Sequence, residues 1–424
     1  MTRMFNKSVL MLSRRRFLAG LAGVAVLAAL GSGCAGTTTS PTAPSAAAGI
    51  LPVARLEVAD SATLMIETKA PNGAVPAALA SYFLTIHDAE EASRVGDERF
   101  NAAPQMTGPF SPVELRPAEL TVVERHDGYW GGASGLDRVE FRGVNDGNAR
   151  LNAVLAGDVQ VARQIPPQGV SQAKSAGLAV QSVGSAYVYH LFLNNRRPPF
   201  DDPAVRRAMS LAVDRQALVD RVLNGSGQVA TGAFPRFSPN DTFPFEAARA
   251  RALLEDAGWK AGPDGTRVNE DRRLAFTILT YPQRPDLGLL ATAIQAMVRE
   301  VGVAASITST EDISTPVDKG EYDAAMYACK TAPSGDPGFA LNLLYHSKGA
   351  LNGQIGYRSA MLDATVETAK RHELAAQAQA ILREESPILH LAIPNYHTAL
   401  ARKVGGYEIH PVEMDFLDRA MALA

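Results

Sequence analysis

Cysteine is scarce in this chain, which contains two in 424 residues, Cys34 and Cys329. Two cysteines cannot form a disulfide framework, and they cannot supply the thiolate cage of a structural zinc site. The sequence also has no G-x-S-x-G element, no phosphate-binding Walker loop and no H-x-x-x-H zinc signature. These absences remove the common signatures of serine hydrolases, nucleotide-binding enzymes and zinc enzymes, and we expect no cofactor.

An excess of basic residues is lacking as well, since the formal net charge is -3. Residues 1–33 hold five basic residues and no acidic one, which leaves 36 of the 41 basic residues against all 44 acidic ones in the body of the chain. Such a body cannot neutralise the phosphates of a nucleic acid or adhere broadly to an anionic membrane. We therefore expect no nucleic-acid partner, and membrane contact only through an anchor.

Residues 1–33 are predicted to be an export signal. Residues 13–19 read S-R-R-R-F-L-A, the pattern of a twin-arginine signal in which Arg14 and Arg15 form the pair. The apolar run over 17–30 is too short and too rich in Gly and Ala to indicate a membrane span. The pattern predicts export by the twin-arginine route to the periplasm or the outer face of the cytoplasmic membrane.

Cys34 is predicted to carry a lipid anchor. Gly-Ser-Gly precedes it, as in a lipoprotein cleavage box, although Leu30 stands four positions before the cysteine where the usual box has three. The alternatives are a plain signal anchor, or a signal cleaved ahead of an unmodified cysteine. Residues 34–52 then read as a flexible tether, because their small, uncharged side chains cannot form a core.

From residue 53 onward, strand and helix periodicities alternate, which is typical of an α/β protein. Strands are predicted over 62–67, 120–125, 138–142, 186–194, 273–280, 303–309, 323–327 and 388–393. Helices are predicted over 204–223, 247–257 and 287–301, the last two ending at glycines.

Two of the predicted strands are followed by prolines. The strand over 186–194 leads to Pro198-Pro199, and the strand over 388–393 leads to Pro394. Two strands that each lead to a proline, with a large α/β segment between them, indicate a pair of hinge strands that join two lobes. The ligand cleft would then lie between the two lobes. We predict lobe I over 53–200 and 394–424, and lobe II over 201–393.

Several segments resemble a known family. Residues 107–110 read T-G-P-F, and 124–132 read E-R-H-D-G-Y-W-G-G. Further matches are L-A-G-D-V at 155–159, the run from Leu193-Asn194 through P-F-D-D-P-A-V-R-R-A at 199–208 to A-V-D-R at 212–215, and A-R-A-L-L-E-D-A-G-W at 250–259. In this order they resemble the family 5 extracellular solute-binding proteins, over residues 56–417. We interpret Trp130 and Trp259, within these segments, as core or lobe-packing residues.

The resemblance implies a two-lobed, type II periplasmic-binding-protein-like α/β fold with a hinge of crossing strands. It implies a monomeric, non-enzymatic protein that captures a peptide or peptide-like solute for an ABC permease and ATPase. The family's usual N-terminal strand and F-x-D-G-x-P turn have no counterpart here, which predicts a reduced first lobe. The remaining alternatives are a nickel chelate or opine as ligand, a degenerate non-transport lipoprotein, and, distantly, an exported serine hydrolase with Ser171 and Lys174 as an S-x-x-K element.

The resemblance places the ligand loop over residues 327–337. Peptide-binding relatives have an aspartate where this loop has Pro333, and its A-P-x-x-D-P form is closer to nickel-type members. Those members use arginines that this sequence does not match. His346 and His397 are the histidines considered for a metal, although no ligand spacing supports a site, and none is predicted.

Six residues are predicted to contact the ligand: Tyr187, Tyr189, Asn194, Lys330, Ser334 and Asp336. Tyr187 and Tyr189 share one face of a strand and either line the cleft or belong to the core. Lys330 either pairs with an anionic ligand group or is a solvated surface lysine. Asp336 is also predicted to cap the helix that follows it.

Overall fold

The computed structural model describes residues 9–12, 53–60, 63–69, 75–79, 89–102, 104, 107–234, 242–332, 336–368, 371–411, 417 and 419–423. The chain divides into two compact units. Unit 1 comprises Met1–Val144, Ala401–Glu408 and Asp415–Ala424, and unit 2 comprises Asn145–Leu400 and Ile409–Met414. These limits differ from the lobe boundaries predicted above, because residues 145–200 group with unit 2; the functional lobes stay a prediction.

The strands are β1 Val9–Leu12, β2 Val53–Asp60, β3 Thr63–Thr68, β4 Phe110–Arg116, β5 Leu120–Arg125, β6 Arg138–Arg142, β7 Val161–Arg163, β8 Ala179–Gly184, β9 Tyr187–Leu193, β10 Gly227–Val229, β11 Lys260–Ala261, β12 Arg267–Asn269, β13 Arg272–Arg273, β14 Ala275–Thr280, β15 Ala304–Ser309, β16 Ala324–Lys330, β17 Ile388–Leu400, β18 Val404–Gly405 and β19 Ala422–Leu423. The helices are α1 Val75–Leu79, α2 Ala89–Val95, α3 Asp97–Ala102, α4 Gly147–Ala156, α5 Val170–Ser175, α6 Pro203–Ala212, α7 Arg215–Ala217, α8 Ala247–Asp256, α9 Pro285–Arg299, α10 Ser314–Lys319, α11 Gly338–Ala340, α12 Ala360–Thr368 and α13 Arg371–Glu385.

Unit 1 contains small antiparallel sheets, with strand orders β1-β3-β2 and β4-β5-β6. The strand predicted over 62–67 is confirmed as β3, and Leu64 and Ile66 are buried on one of its faces. β1 consists of residues 9–12, which lie inside the predicted export signal and pair antiparallel with β3. Trp130 is 65% exposed, so its interpretation as a core residue is wrong; it stands in a turn where its ring contacts Tyr129.

Unit 2 is built on one large sheet with strand order β10-β17-β9-β16-β14-β15. β14 runs parallel to β15 and β16, whereas β9 and β17 run antiparallel to their neighbours. The apolar stripes of α6, α8 and α9 pack into the main core beside this sheet, where Trp259 is buried as predicted. The predicted α/β class is confirmed.

The longest strand, β17, runs through Pro394 instead of ending there. The prediction that this strand stops before the proline is wrong, for a tertiary reason. β17 pairs with β9 up to Ala392 and with β8 from Asn395 onward, so Pro394 stands where the strand exchanges neighbours. A missing N–H is tolerated at such an irregular position.

The single helix predicted over 204–223 is also wrong, because the helical chain is interrupted. α6 begins at Pro203, and the Asp202 carboxylate caps it by accepting from the Ala204 amide. It ends at Ala212, and Asp214 then starts α7 by accepting from the Ala217 amide. The apolar periodicity continues across this break, which is why the pattern alone did not reveal it.

Candidate functional site

Two parallel strands of unit 2 bring cationic side chains to the same edge of the sheet. β14 ends at Thr280 and leads to Arg284, which immediately precedes the first residue of α9. Its parallel neighbour β16 ends at Lys330. Ligands of open α/β sheets commonly bind outside the carboxyl ends of the strands, because the connecting loops gather there.

Tyr187 lies beneath both of these cations. It is the cross-strand partner of Lys330, and the Lys330 Nζ atom lies 4.8 Å from the centroid of its ring. The Cζ atom of Arg284 lies 4.6 Å from the same centroid. All three side chains are half-buried. One aromatic ring therefore contacts two cations at a position that solvent reaches.

Tyr189, two residues further along β9, anchors the base of this group. Its ring is buried in the main core, and its hydroxyl donates to the Asp286 carboxylate. The Cζ atom of Arg284 lies 5.9 Å from its ring centroid. Burial, and then the charge of Asp286, raises the pKa of the Tyr189 hydroxyl, so it stays a hydrogen-bond donor. We call Tyr187, Tyr189, Arg284, Asp286 and Lys330 the Arg284 cluster.

Two further arginines of unit 2 lie near this cluster. The Nε atom of Arg163 donates to the Tyr396 hydroxyl at 2.6 Å. Arg150 donates to the main-chain oxygens of Arg163 and Gln164, at 2.8 Å and 2.9 Å. Burial lowers the pKa of Arg150, the charge of Asp146 opposes this shift, and the charges of Arg163 and Arg284 lower the pKa further.

Chemically, this arrangement suits the binding of an anionic group. Half-buried guanidinium and ammonium groups form charge-assisted hydrogen bonds to carboxylates, and the N-terminus of α9 adds its positive dipole end. Within the described ranges, no three His, Cys, Asp or Glu residues are grouped so that they would hold a metal ion. The site thus has the features of a binding site.

The residues predicted to contact the ligand do not all lie in one place. Tyr187, Tyr189 and Lys330 come together in the Arg284 cluster, and their contact with ligand stays a prediction. Asn194 lies at the other end of β9, where it is fully buried and its side-chain amide donates to the main-chain oxygens of Gly320 and Tyr322 at 2.9 Å and 2.8 Å. These bonds occupy both amide protons and indicate a structural role for Asn194.

In the predicted ligand loop, the Asp336 carboxylate accepts from the Gly338 amide at 3.1 Å, whereas the N-cap position of α11 is occupied by Pro337. Ser334 lies outside the described residues, and so do the lipid-anchor candidate Cys34 and the export-signal residues Arg14 and Arg15. Their roles stay predictions. Cys329 is half-buried, and burial raises the pKa of its thiol to about 12, which keeps it protonated.

The histidines considered for a metal, and the lysine of the S-x-x-K element, each interact with neighbouring residues. His397 lies between two serine hydroxyls, with Ser182 Oγ 2.7 Å from its Nδ1 atom and Ser226 next to its Nε2 atom. His346 Nδ1 accepts from the Lys348 amide. Lys174, from the S-x-x-K element, lies on α5 close enough to lower the pKa of His397, after the larger effect of burial.

Sequence reasoning missed Arg284, Asp286, Arg163 and Tyr396. One signal was available for the first two, since Arg284-Pro285-Asp286 follows a predicted strand and opens a predicted helix, where anion sites form. No comparable signal marks Arg163 or Tyr396. They lie 233 positions apart and meet only because β7 and β8 both pair with the second half of β17.

Several solved structures share the fold. The Staphylococcus aureus NikA structure in complex with Ni(L-His)2 matches with a TM-score of 0.77 and 22% identity, over 89% of this chain and 80% of that chain. The Bacillus subtilis oligopeptide-binding protein AppA, in complex with a nonapeptide, matches with a TM-score of 0.77 and 22% identity, over 89% and 79% of the two chains. The predicted type II periplasmic-binding-protein fold is thereby confirmed. No helix in the described part of the chain has the length and apolar character to cross a bilayer.

Sequence relatives agree with this fold. The nickel-binding protein NikA of Staphylococcus aureus is 24% identical over 377 residues, which cover 87% of this chain and 74% of that protein. A dipeptide-binding protein of Pseudomonas aeruginosa is 28% identical over 380 residues, 85% of this chain and 70% of that protein. A family model described as bacterial extracellular solute-binding proteins, family 5 Middle, matches residues 36–352. The chain therefore belongs to the family 5 bacterial extracellular solute-binding proteins, the predicted family of ABC-importer binding proteins.

Proposed function

We propose that this protein captures a peptide-like solute through a free carboxylate and presents it to an ABC permease and its ATPase. The observation that carries the proposal is the pair of cations over one aromatic ring, Arg284 at 4.6 Å and Lys330 at 4.8 Å from the Tyr187 centroid. A carboxylate between them would receive charge-assisted hydrogen bonds from both. Family relatives that bind dipeptides and oligopeptides support this class of solute.

Each residue of the Arg284 cluster has a defined part in this proposal. Arg284 and Lys330 donate to the carboxylate, and Tyr187 keeps both donors in place through its ring. The Tyr189 hydroxyl fixes Asp286 in the first turn of α9, next to Arg284. Binding involves no bond cleavage, so the protein acts without catalysis. Closure around the solute would then produce the form that the permease recognises.

Export and anchoring belong to the same proposal. The arginine pair Arg14-Arg15 would direct the chain to the twin-arginine route, and Cys34 would receive the lipid that holds it at the membrane. The uncharged segment 34–52 would let the body move while it stays anchored.

Isothermal titration of the full-length protein tests the carboxylate. Trialanine is compared with trialanine amide, which lacks the C-terminal charge. We expect the amide to bind at least about tenfold more weakly, and we expect Arg284→Gln to weaken trialanine binding by a similar factor, as is usual for loss of one partner of a desolvated charge pair.

The matched control is Arg272→Gln, because Arg272 also lies over an aromatic ring, that of Trp259 at 5.6 Å, but on β13. It should leave trialanine affinity unchanged. Equal affinity for the acid and the amide, or equal loss in both variants, would refute the carboxylate proposal. If neither peptide binds, the peptide class itself is wrong.

A carboxylate-bearing metal chelate is the second candidate solute. Its support is the similarity to NikA of Staphylococcus aureus, whose structure contains Ni(L-His)2. The same titration with Ni(L-His)2 distinguishes the two candidates, since a chelate-binding protein would prefer it to trialanine and would still depend on Arg284.

A further inference from the structure

Beside the Arg284 cluster, unit 2 contains another arginine that is held on a tyrosine side chain. Arg163, the last residue of β7, donates from Nε to the Tyr396 hydroxyl at 2.6 Å, and its Cζ atom lies 5.8 Å from the centroid of the Tyr396 ring. Tyr396 is itself buried on β17. The pair repeats the chemistry of Arg284 on Tyr187, with a guanidinium fixed on a tyrosine.

The short break between β8 and β9, which follow one another along the same side of β17, lies between the two pairs. At this break the Ser185 amide donates to the Pro394 oxygen at 2.9 Å, where β17 exchanges its neighbours. Tyr187 lies two residues beyond Ser185, and Tyr396 two residues beyond Pro394. Tyr396 pairs with Val183 on β8, two residues before Ser185, so the two tyrosines lie about four strand residues, or about 13 Å, apart along the sheet.

The guanidinium groups of both pairs lie close enough to Arg150 to change its pKa. Arg163 and Arg284 both lower the pKa of Arg150, whereas Asp146 raises it. Like charges that converge in a partly buried region repel one another more strongly than in water. Binding of an anionic guest relieves such repulsion, so a concentration of arginines that is costly in the empty protein becomes favourable when a guest is bound.

We propose that Arg163 and Tyr396 form a second anion position, so that the preferred solute is a peptide-like diacid with a side-chain carboxylate in addition to its C-terminal one. This inference rests on the proposed function. Arg284 and Lys330 bind the terminal carboxylate, and Arg163 binds the second, while the Tyr396 hydroxyl positions the guanidinium. An extended tripeptide of about 10 Å can present both groups at once.

Titration of the full-length protein with Glu-Ala-Ala, Ala-Glu-Ala and their glutamine counterparts tests the second position, because glutamine keeps the size and removes the charge. We expect at least one glutamate peptide to bind about tenfold more tightly than its glutamine counterpart. Raising the salt concentration should reduce this ratio. Arg163→Gln should abolish the ratio, and it should weaken trialanine binding less than Arg284→Gln does.

Further variants distinguish loss of the Arg163 charge from a general loss of structure. Arg163→Lys keeps the charge and should keep part of the ratio, and Tyr396→Phe should reduce it by releasing the guanidinium. Arg272→Gln should leave it unchanged. If Arg163→Gln fails to fold, the wild-type ratio and the Tyr396→Phe variant still decide the question.

The outcomes distinguish the inference from the function beneath it. Equal affinity for glutamate and glutamine peptides, or a preference that persists in Arg163→Gln, overturns the second position while trialanine binding through Arg284 remains. Failure of every peptide to bind overturns the proposed function itself.

Discussion

Charged side chains are arranged in opposite ways in the β4-β5-β6 sheet of unit 1 and around Arg150 in unit 2. In the β4-β5-β6 sheet of unit 1, arginines face carboxylates at the surface. Arg138 contacts Glu124 at 3.0 Å and Glu140 at 3.4 Å, and Arg142 contacts Glu140 at 3.1 Å. In unit 2, Arg150 binds main-chain oxygens and lies near two further arginines. Paired surface charges favour solubility, whereas arginines that converge on one another indicate a site for an anionic guest.

A buried arginine of unit 2, Arg215, gives the sharpest test of this difference. Arg215 is 3% exposed, and its guanidinium donates to the main-chain oxygens of His390, Ser210 and Val213. Arg215→Leu would leave these buried acceptors without their donors, so we expect the free energy of unfolding to fall by about 3–5 kcal/mol in urea denaturation. Arg272→Leu, at an exposed position on β13, is the control and should have a much smaller effect. Equal effects in the two variants would contradict the assignment of Arg215 to the structural core.

Acid should destabilise unit 2 through two core histidines. His190 and His390 are cross-strand partners, with their Nδ1 atoms 3.0 Å apart. Burial lowers the pKa of His190 to about 3, and it lowers the pKa of His390 well below its ordinary value, with His190 and Arg215 adding to the shift. Both regain a pKa of about 6.5 on unfolding, so the unfolded chain binds protons that the folded chain does not. The free energy of unfolding should therefore fall below pH 6.5, by about 1.4 kcal/mol per pH unit for each histidine.

Urea denaturation at pH 7, 6 and 5 measures this slope. His190→Gln should reduce the slope even if it lowers stability at every pH, because it removes one titrating group. His410→Gln, at an exposed position, should leave the slope unchanged. A wild-type stability that is constant from pH 7 to pH 5 would show that the pair does not control acid sensitivity.

More of the fold than of the candidate site could be predicted from the sequence. β14, β15 and β16 were predicted because each strand has a local apolar pattern, and α9 because its stripe ends at a glycine. The Arg284 cluster could not be predicted as a unit, because Tyr187, Arg284 and Lys330 come from segments more than 40 residues apart and meet through strand order. Pro394 shows the same limit, since a local rule ends the strand there and the exchange of neighbouring strands overrides it.

Arg150 tests whether an arginine among like charges still stabilises unit 2. Arg150→Met removes hydrogen bonds to three main-chain oxygens, those of Asn145, Arg163 and Gln164, and it also relieves repulsion with Arg163 and Arg284. Because the two effects oppose each other, we expect a net loss of only about 1–2 kcal/mol in the free energy of unfolding. Arg150→Lys, which keeps the charge but not the planar donor geometry, should lose a similar amount. A loss as large as that of Arg215→Leu would mean that repulsion in this region is negligible.

The smallest effect is expected at the surface sheet of unit 1. Arg138→Gln removes contacts to Glu124 and Glu140, but all three side chains are exposed, and water and salt replace such interactions at little cost. We expect no measurable change in the urea midpoint at physiological salt, and no change in peptide affinity. Arg142→Gln, which removes the other contact to Glu140, is the matched variant and should behave in the same way. A midpoint shift comparable to that of Arg150→Met would show that these ion pairs stabilise unit 1 cooperatively. The two regions would then differ only in what their arginines contact, which is carboxylates in unit 1 and main-chain oxygens around Arg150.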